Sequence, residues 1–159
     1  MLKKLKIYLD TSVISYLNAP DAPEKMNDTL KLWRDIKAAK YHVHISDLTI
    51  EELNDCPEPK RADMLSLLLD IEYTEVEQDE RSEQLSLLYF EVGGLPPKSK
   101  EDAAHIAIAS VNDCDVILSW NFKHIVNLRA MTAVEAVNIR ERYKNIRIIS
   151  PAMLLDEEE

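Results

Sequence analysis

Glycine is almost missing from this chain: Gly93 and Gly94 are the only two in 159 residues. The P-loop and the dinucleotide fingerprint each need glycines at fixed offsets, so nucleotide binding of those kinds is excluded. Cysteine is as scarce. Cys56 and Cys114 lack metal-site spacing and are too few for a disulfide scaffold, so both read as reduced thiols. Basic residues are outnumbered, 19 against 29 acids, for a net charge of −10. That argues against a broad basic surface for nucleic acid or an anionic membrane, and leaves room for a local basic patch. Long apolar runs are missing too. The run after the basic start is broken at Asp10, too early for a signal peptide, and no other run could span a membrane. The expectation is a cytoplasmic protein with no membrane partner.

What remains is an ordinary globular composition, 46% apolar, enough to bury a sizeable core. One domain is expected over residues 1–155, with an acidic, disordered tail at 156–159. Buried-strand patterns fall near residues 5–9, 41–45, 71–76, 115–118 and 146–149. Helical spacing falls between them, near 13–17, 22–39, 50–55, 61–69, 79–90, 100–112 and 131–143, with a last turn at 151–155. The 22–39 segment aligns Met26, Leu30, Trp33 and Ile36 or Ala39. Gly93-Gly94-Leu95-Pro96-Pro97 is the clearest loop, and Ser99 can cap the helix after it. Strands alternating with helices predict an α/β fold around a largely parallel sheet.

Four positions carry the candidate chemistry. Asp10 ends the first strand, where open α/β sheets bind ligands. Glu52 lies in the helix after the second strand, Asp102 opens the helix before the fourth, and Asn121 follows the fourth. Each has a plain structural alternative. Asp10 can cap a helix, and Glu52 and Asp102 sit three residues after Thr49 and Ser99, the spacing of a capping box. Asn121 can be a turn residue. As a set they are less easily explained. Acids gathered in one cleft repel each other unless a cation neutralises them, and hard oxygen ligands with few histidines select Mg²⁺ or Mn²⁺ over Zn²⁺. The chemistry that follows is metal-assisted phosphodiester hydrolysis.

Four stretches carry a family resemblance: Leu9-Asp10-Thr11-Ser12, Ser46-Asp47-Leu48-Thr49-Ile50-Glu51-Glu52-Leu53, Asp102-Ala103-Ala104-His105-Ile106-Ala107-Ile108-Ala109 and Val116-Ile117-Leu118-Ser119-Trp120-Asn121-Phe122. In that order and spacing the chain resembles the PIN-domain ribonucleases, many of them VapC-type toxins of type II toxin–antitoxin pairs. The resemblance implies a three-layer α/β/α sandwich with a five-stranded, mainly parallel sheet. It also implies an Mg²⁺ or Mn²⁺ site, RNA as substrate, an antitoxin protein as partner and a homodimer as assembly. Residue by residue, it puts Asp10, Glu52 and Asp102 at the family's first three acids, with Thr11, Ser12 and Ser119 at hydroxyl positions lining the site. Glu52 is preferred to Glu51 because it directly precedes Leu53, and Glu51 would point about 100° away around the helix.

Asn121 is the departure: many members carry Asp at this fourth corner, and Asn keeps an oxygen but no charge. Asp113 and Asp115 precede the strand and belong at its far end. His105 lies on the face of Asp102, three residues on, either near the site or packed at its rim, and His124 follows Asn121 by three. Lys98 and Lys100 precede Asp102, and Lys123 and Arg129 follow Asn121, so these four can contact RNA phosphates or form a solvated face. Trp120 can stack on a base or pack against a helix. Rival phosphatase and receiver chemistries need a second acid at Ser12 or beside Asp10, which the chain lacks. The non-enzymatic alternative is a PIN-like domain that binds RNA or a partner without cutting.

Overall fold

The computed structural model describes residues 3–157. Its elements begin with β1 (Lys6–Leu9), α1 (Thr11–Ser15), a 3₁₀ turn (Tyr16–Asn18), α2 (Pro23–Lys37), β2 (His42–Ser46), α3 (Asp47–Asn54) and α4 (Lys60–Leu68). They continue with β3 (Thr74–Val76), α5 (Glu80–Glu91), α6 (Lys100–Val111), β4 (Val116–Leu118), α7 (Leu128–Arg140), β5 (Arg147–Ile149) and α8 (Pro151–Glu157). The strands pair in the order β3-β2-β1-β4-β5, all parallel. β1 is central, with Ile7 opposite Val43 on one side and Val116 on the other.

Side chains alternate across the sheet, so β1 feeds two cores. Ile7 and Leu9 pack with Leu32 and Trp33 of α2, Leu53 of α3, Met64 of α4 and Leu154 of α8. Tyr8 points to the other face, among Leu85 and Tyr89 of α5, Ile106 of α6 and Val134 of α7. Helices therefore cover both faces, giving the expected α/β/α layers. Ala103, Ala107 and Ala109 are fully buried, and their small side chains let α6 lie close to the sheet.

Several local expectations are corrected. Leu30 is 39% exposed, and α2 instead turns Thr29, Leu32, Trp33 and Ile36 inward. Ala39 lies beyond the helix at φ 61°, exposed rather than packed. β3 begins only at Thr74, although Ile71 and Tyr73 still pack against the core. The last helix runs through Asp156 to Glu157, two residues into the stretch expected to be a disordered tail, because Leu154 anchors it. Glu158 and Glu159 lie outside the described residues. Trp120 is 6% exposed and donates its Nε1–H to Thr29 Oγ1 at 2.9 Å, so it packs on α2 and offers no face to a base. No helix among the described residues is long and apolar enough to cross a membrane.

Candidate active site

The carboxyl ends of β1, β2 and β4 open into a cleft of about 320 Å³. Asp10, the first residue past β1, both caps α1 and faces this cleft. Its Oδ1 accepts the Val13 amide at 3.3 Å and the Ser12 hydroxyl at 2.6 Å, and the residue is 3% exposed. Among the described residues it has no ion-pair partner. Burial therefore pushes its carboxyl above the ordinary value, against the pull of His105 and of hydrogen bonds from Ser119 and Ser12.

Glu52 is not part of a capping box. The cap of α3 is Ser46, whose Oγ accepts the Thr49 amide at 3.2 Å. One turn further on, Glu52 projects into the cleft, where Oε1 accepts the Thr11 hydroxyl at 2.7 Å and meets His105 Nε2 at 2.5 Å. Burial works to raise its carboxyl, and the bonds from His105 and Thr11 overcome this and hold it low. Glu51 is exposed and faces away.

The second expected box is absent as well. Ser99 occupies the cap position of α6 but makes no capping bond, and its buried hydroxyl has no partner in the structure. Asp102 is thus left to the cleft. Its Oδ2 accepts the Asn121 Nδ2–H at 3.1 Å and lies 3.4 Å from His124 Nδ1. Asn121 is held in turn by its backbone amide, which donates to Ser119 Oγ at 2.9 Å, and by its Oδ1, which accepts the His124 amide at 3.2 Å.

Asp10, Glu52, Asp102 and Asn121 all line this one cleft, with Thr11, Ser12 and His105 beside them. Ser119 does not line it; it is fully buried behind Asn121. Of the four basic residues, only Lys98 reaches the cleft. Lys123 and Arg129 line a neighbouring cavity of about 550 Å³ that shares His124, and Arg129 Nη2 donates to the Gly93 carbonyl at 3.1 Å. Lys100 is exposed and lines neither. Asp115 lies at the opposite end of the sheet, accepting the Lys6 amide at 2.8 Å.

Sequence reasoning missed Glu101. It lines the cleft beside Asp102, and its carboxyl is raised chiefly by the hydrogen bond it shares with Glu52. The adjacent acids Glu101-Asp102 were a visible signal, but two acids in a first turn read most simply as complements to the helix dipole. Four carboxylates face a single lysine there, a hard-oxygen donor set with negative charge in excess. Among the described residues no three His, Cys, Asp or Glu side chains converge tightly enough to cage an ion. Mg²⁺ does not require that, since one or two carboxylates and waters commonly hold it. Asp10, Glu52 and Asp102, which all line the cleft, are the carboxylates that would supply such a site.

No family model and no curated protein matches this sequence. Solved structures do. One is VapC20 of Mycobacterium tuberculosis, described as a sarcin-ricin loop cleaving toxin, at 18% identity and TM-score 0.57, over 74% of this chain and 91% of that one. Another is VapBC2 of Rickettsia felis, bound to a DNA fragment from its promoter, at 14% identity and TM-score 0.55, over 91% and 97%. At such identities the likeness is one of fold. With five parallel strands between two helical layers, this chain has the PIN-like α/β/α fold that these VapC structures share.

Proposed function

We propose that the chain is an endoribonuclease that hydrolyses RNA phosphodiester bonds with Mg²⁺ or Mn²⁺, and that it acts as the toxin of a toxin–antitoxin pair. The observation that carries this reading is the meeting of Asp10, Glu52, Asp102 and Asn121, from four distant stretches, in one cleft at the sheet's carboxyl end. The fold likeness to VapC structures supports it. Asp10 and Asp102 would hold the ion, and Glu52, fixed by Thr11 and His105, would orient water at its edge. A bound Mg²⁺ or Mn²⁺ supplies a lowered pKa for water and a positive charge facing the phosphate. Lys98 would meet the strand within the cleft, and Lys123 and Arg129 along the adjoining cavity. An antitoxin as inhibitor and a homodimer as assembly complete the proposal.

The test is incubation of the purified protein with mixed RNA and Mn²⁺, beside Asp10→Asn and Asp102→Asn. Cleavage by the parent and its loss in both variants supports the nuclease. A second reading, RNA or partner binding without cutting, draws on the neutral Asn121, which spends a donor on Asp102. Retained RNA binding with no cleavage in any divalent metal would favour it. An upstream open reading frame whose product co-purifies with this chain would support the toxin assignment, and its absence would favour a free-standing nuclease.

A further inference from the structure

Phe122 follows Asn121 directly and is 45% exposed, the one aromatic side chain among the described residues that is exposed rather than buried or half-buried. A lone exposed ring needs no explanation; the cation beside it does. Lys25, in the first turn of α2, places its ammonium 5.5 Å from the Phe122 ring centre, 5.2 Å from Tyr16 and 5.7 Å from Trp120. Among the described residues this lysine joins no ion pair, although the chain carries a net charge of −10. Three rings thus surround an ammonium that no acid among the described residues pairs, and one of them, Phe122, is 45% exposed. Holding the ammonium there removes much of the entropy a flexible lysine loses on meeting a ligand.

The pair is also fixed relative to the acidic cleft. Ser12 Oγ donates to Asp10 and accepts the Trp120 amide at 2.9 Å, which ties the Trp120–Phe122 turn to the first acid. The Phe122 amide bonds back to the Trp120 carbonyl at 3.0 Å, and Asn121 between them lines the cleft. A π surface next to a cation is what proteins use for unpaired nucleotides: the ring stacks on a base, the cation meets a phosphate, and sequence matters little.

We propose that Phe122 and Lys25 form a nucleotide subsite at the edge of the acidic cleft, Phe122 stacking on an unpaired RNA base next to the scissile phosphate and Lys25 pairing with the backbone phosphate. The subsite rests on the ribonuclease reading for its substrate but is tested by binding. A labelled single-stranded RNA of mixed sequence, about 12 nucleotides long, is titrated by fluorescence anisotropy in Ca²⁺ and checked to be uncut afterwards. Phe122→Ala weakens binding about five- to one-hundred-fold, while Phe122→Trp, which keeps a stacking face, stays near the parent. Lys25→Met lowers the slope of log affinity against log salt by about 0.7, the share of one phosphate contact. Circular dichroism confirms that each variant is folded. In Mn²⁺ the Phe122→Ala loss falls mainly on KM.

Parent-like affinity in Phe122→Ala, or an unchanged salt slope in Lys25→Met, overturns the subsite. If such a parent still cleaves RNA, the ribonuclease reading stands without it. Phe122-dependent binding without cleavage in any metal keeps the subsite and removes the ribonuclease. A parent that binds no single-stranded RNA removes the subsite and leaves the ribonuclease reading to the cleavage test, and variants that instead lose a co-purifying protein overturn the subsite and assign the patch to that partner.

Discussion

His105 Nε2 lies 2.5 Å from Glu52 Oε1, and its Nδ1 lies 2.6 Å from the Tyr8 hydroxyl. The phenol is 2.6 Å from Ser46 Oγ on its other side, and burial pushes its pKa up, so it keeps its proton. The Nε2–H donates to the Glu52 carboxylate, and the Tyr8 hydroxyl bridges Nδ1 and Ser46 Oγ. The hydrogen bonds thus run from inside the sheet to the cleft. His105 therefore acts on the site through Glu52, much as partners behind metal ligands orient them. His105→Ala is expected to lower RNA cleavage and Mn²⁺ affinity about 10–100-fold. It should also cost about 1–3 kcal/mol by removing one of the two buried partners of the Tyr8 hydroxyl. His105→Gln, which keeps a donor, should recover part of the Mn²⁺ affinity. Calorimetric titration and thermal melts check the two effects separately.

Asp10 sets stability against function. Its folded pKa is raised by burial above the ordinary 3.8. By linkage, the stability tied to its proton is present below the unfolded pKa and is lost as pH rises through the folded one. At neutral pH the buried charge is thus a burden in metal-free protein. Asn keeps an oxygen for the Val13 amide and carries no charge. Asp10→Asn should raise the Tm of protein in EDTA by about 2–6 °C near pH 7, with the gain vanishing towards pH 3–4. The same change should abolish cleavage and the stabilisation by Mn²⁺. A lower Tm in EDTA would mean that the charge is already compensated.

Much of this was legible in the sequence. The apolar runs ending in Asp10 and before Asn121 announced β1 and β4, and the resemblance placed Glu52 rather than Glu51 in the cleft. What the sequence hid were choices among near-equivalent local bonds. Ser46 and Thr49 are both good caps, and only the end of β2 decides that Ser46 is used, which frees Glu52. Ser99 sits at a cap position yet makes no capping bond, which no residue pattern reveals. Leu30 fits the helical period as well as Leu32 does, and contact with the sheet selects Leu32. Tyr8 reads as a strand aromatic; its hydroxyl's link to His105 spans 97 positions and has no local signal.

Asp115 provides a pH test away from the cleft. It accepts the Lys6 amide and the Lys144 ammonium, linking the start of β4 to that of β1. Burial would raise its carboxyl, but the bonds from Lys144 and Lys6 overcome this and hold it below the ordinary 3.8. A depressed folded pKa contributes stability above the unfolded value and loses it as pH falls through the folded one. Asp115→Asn should cost about 1 kcal/mol at pH 7, discounted because Lys144 is partly exposed. Urea titrations at pH 7 and pH 3 should show the deficit shrinking in acid, and a constant deficit would mean that the charge contributes nothing.

The two glycines differ in kind. Gly93 has φ +75° with open space around it, a turn residue. At Gly94 a Cβ would lie 2.0 Å from Ala133 Cβ and 3.2 Å from the Arg129 carbonyl. The 93–97 loop can sit on α7 only because this residue has no side chain. Gly94→Ala should cost about 1–3 kcal/mol and push the loop off α7, which also frees the guanidinium of Arg129. Ala133→Gly in the same chain should restore much of the loss, and a double-mutant cycle of urea midpoints measures it. Additive effects would show that the loop moves away without strain.

Asn121 donates to Asp102 where a carboxylate would repel it. Asn121→Asp removes that bond and brings two anions within about 3–4 Å. In EDTA the variant should be less stable by about 1–3 kcal/mol and should raise the pKa of its neighbours. With Mn²⁺ the sign should reverse, because the added charge now faces a cation: affinity should rise and the Tm deficit close. Melts in EDTA and across a Mn²⁺ series separate the two effects. If Asn121→Asp is destabilised equally with and without metal, Asn121 serves only to hold Asp102. If cleavage rises with affinity, the natural Asn limits the charge of the site, and the parent chain works with a weaker ion than a fully acidic cleft would hold.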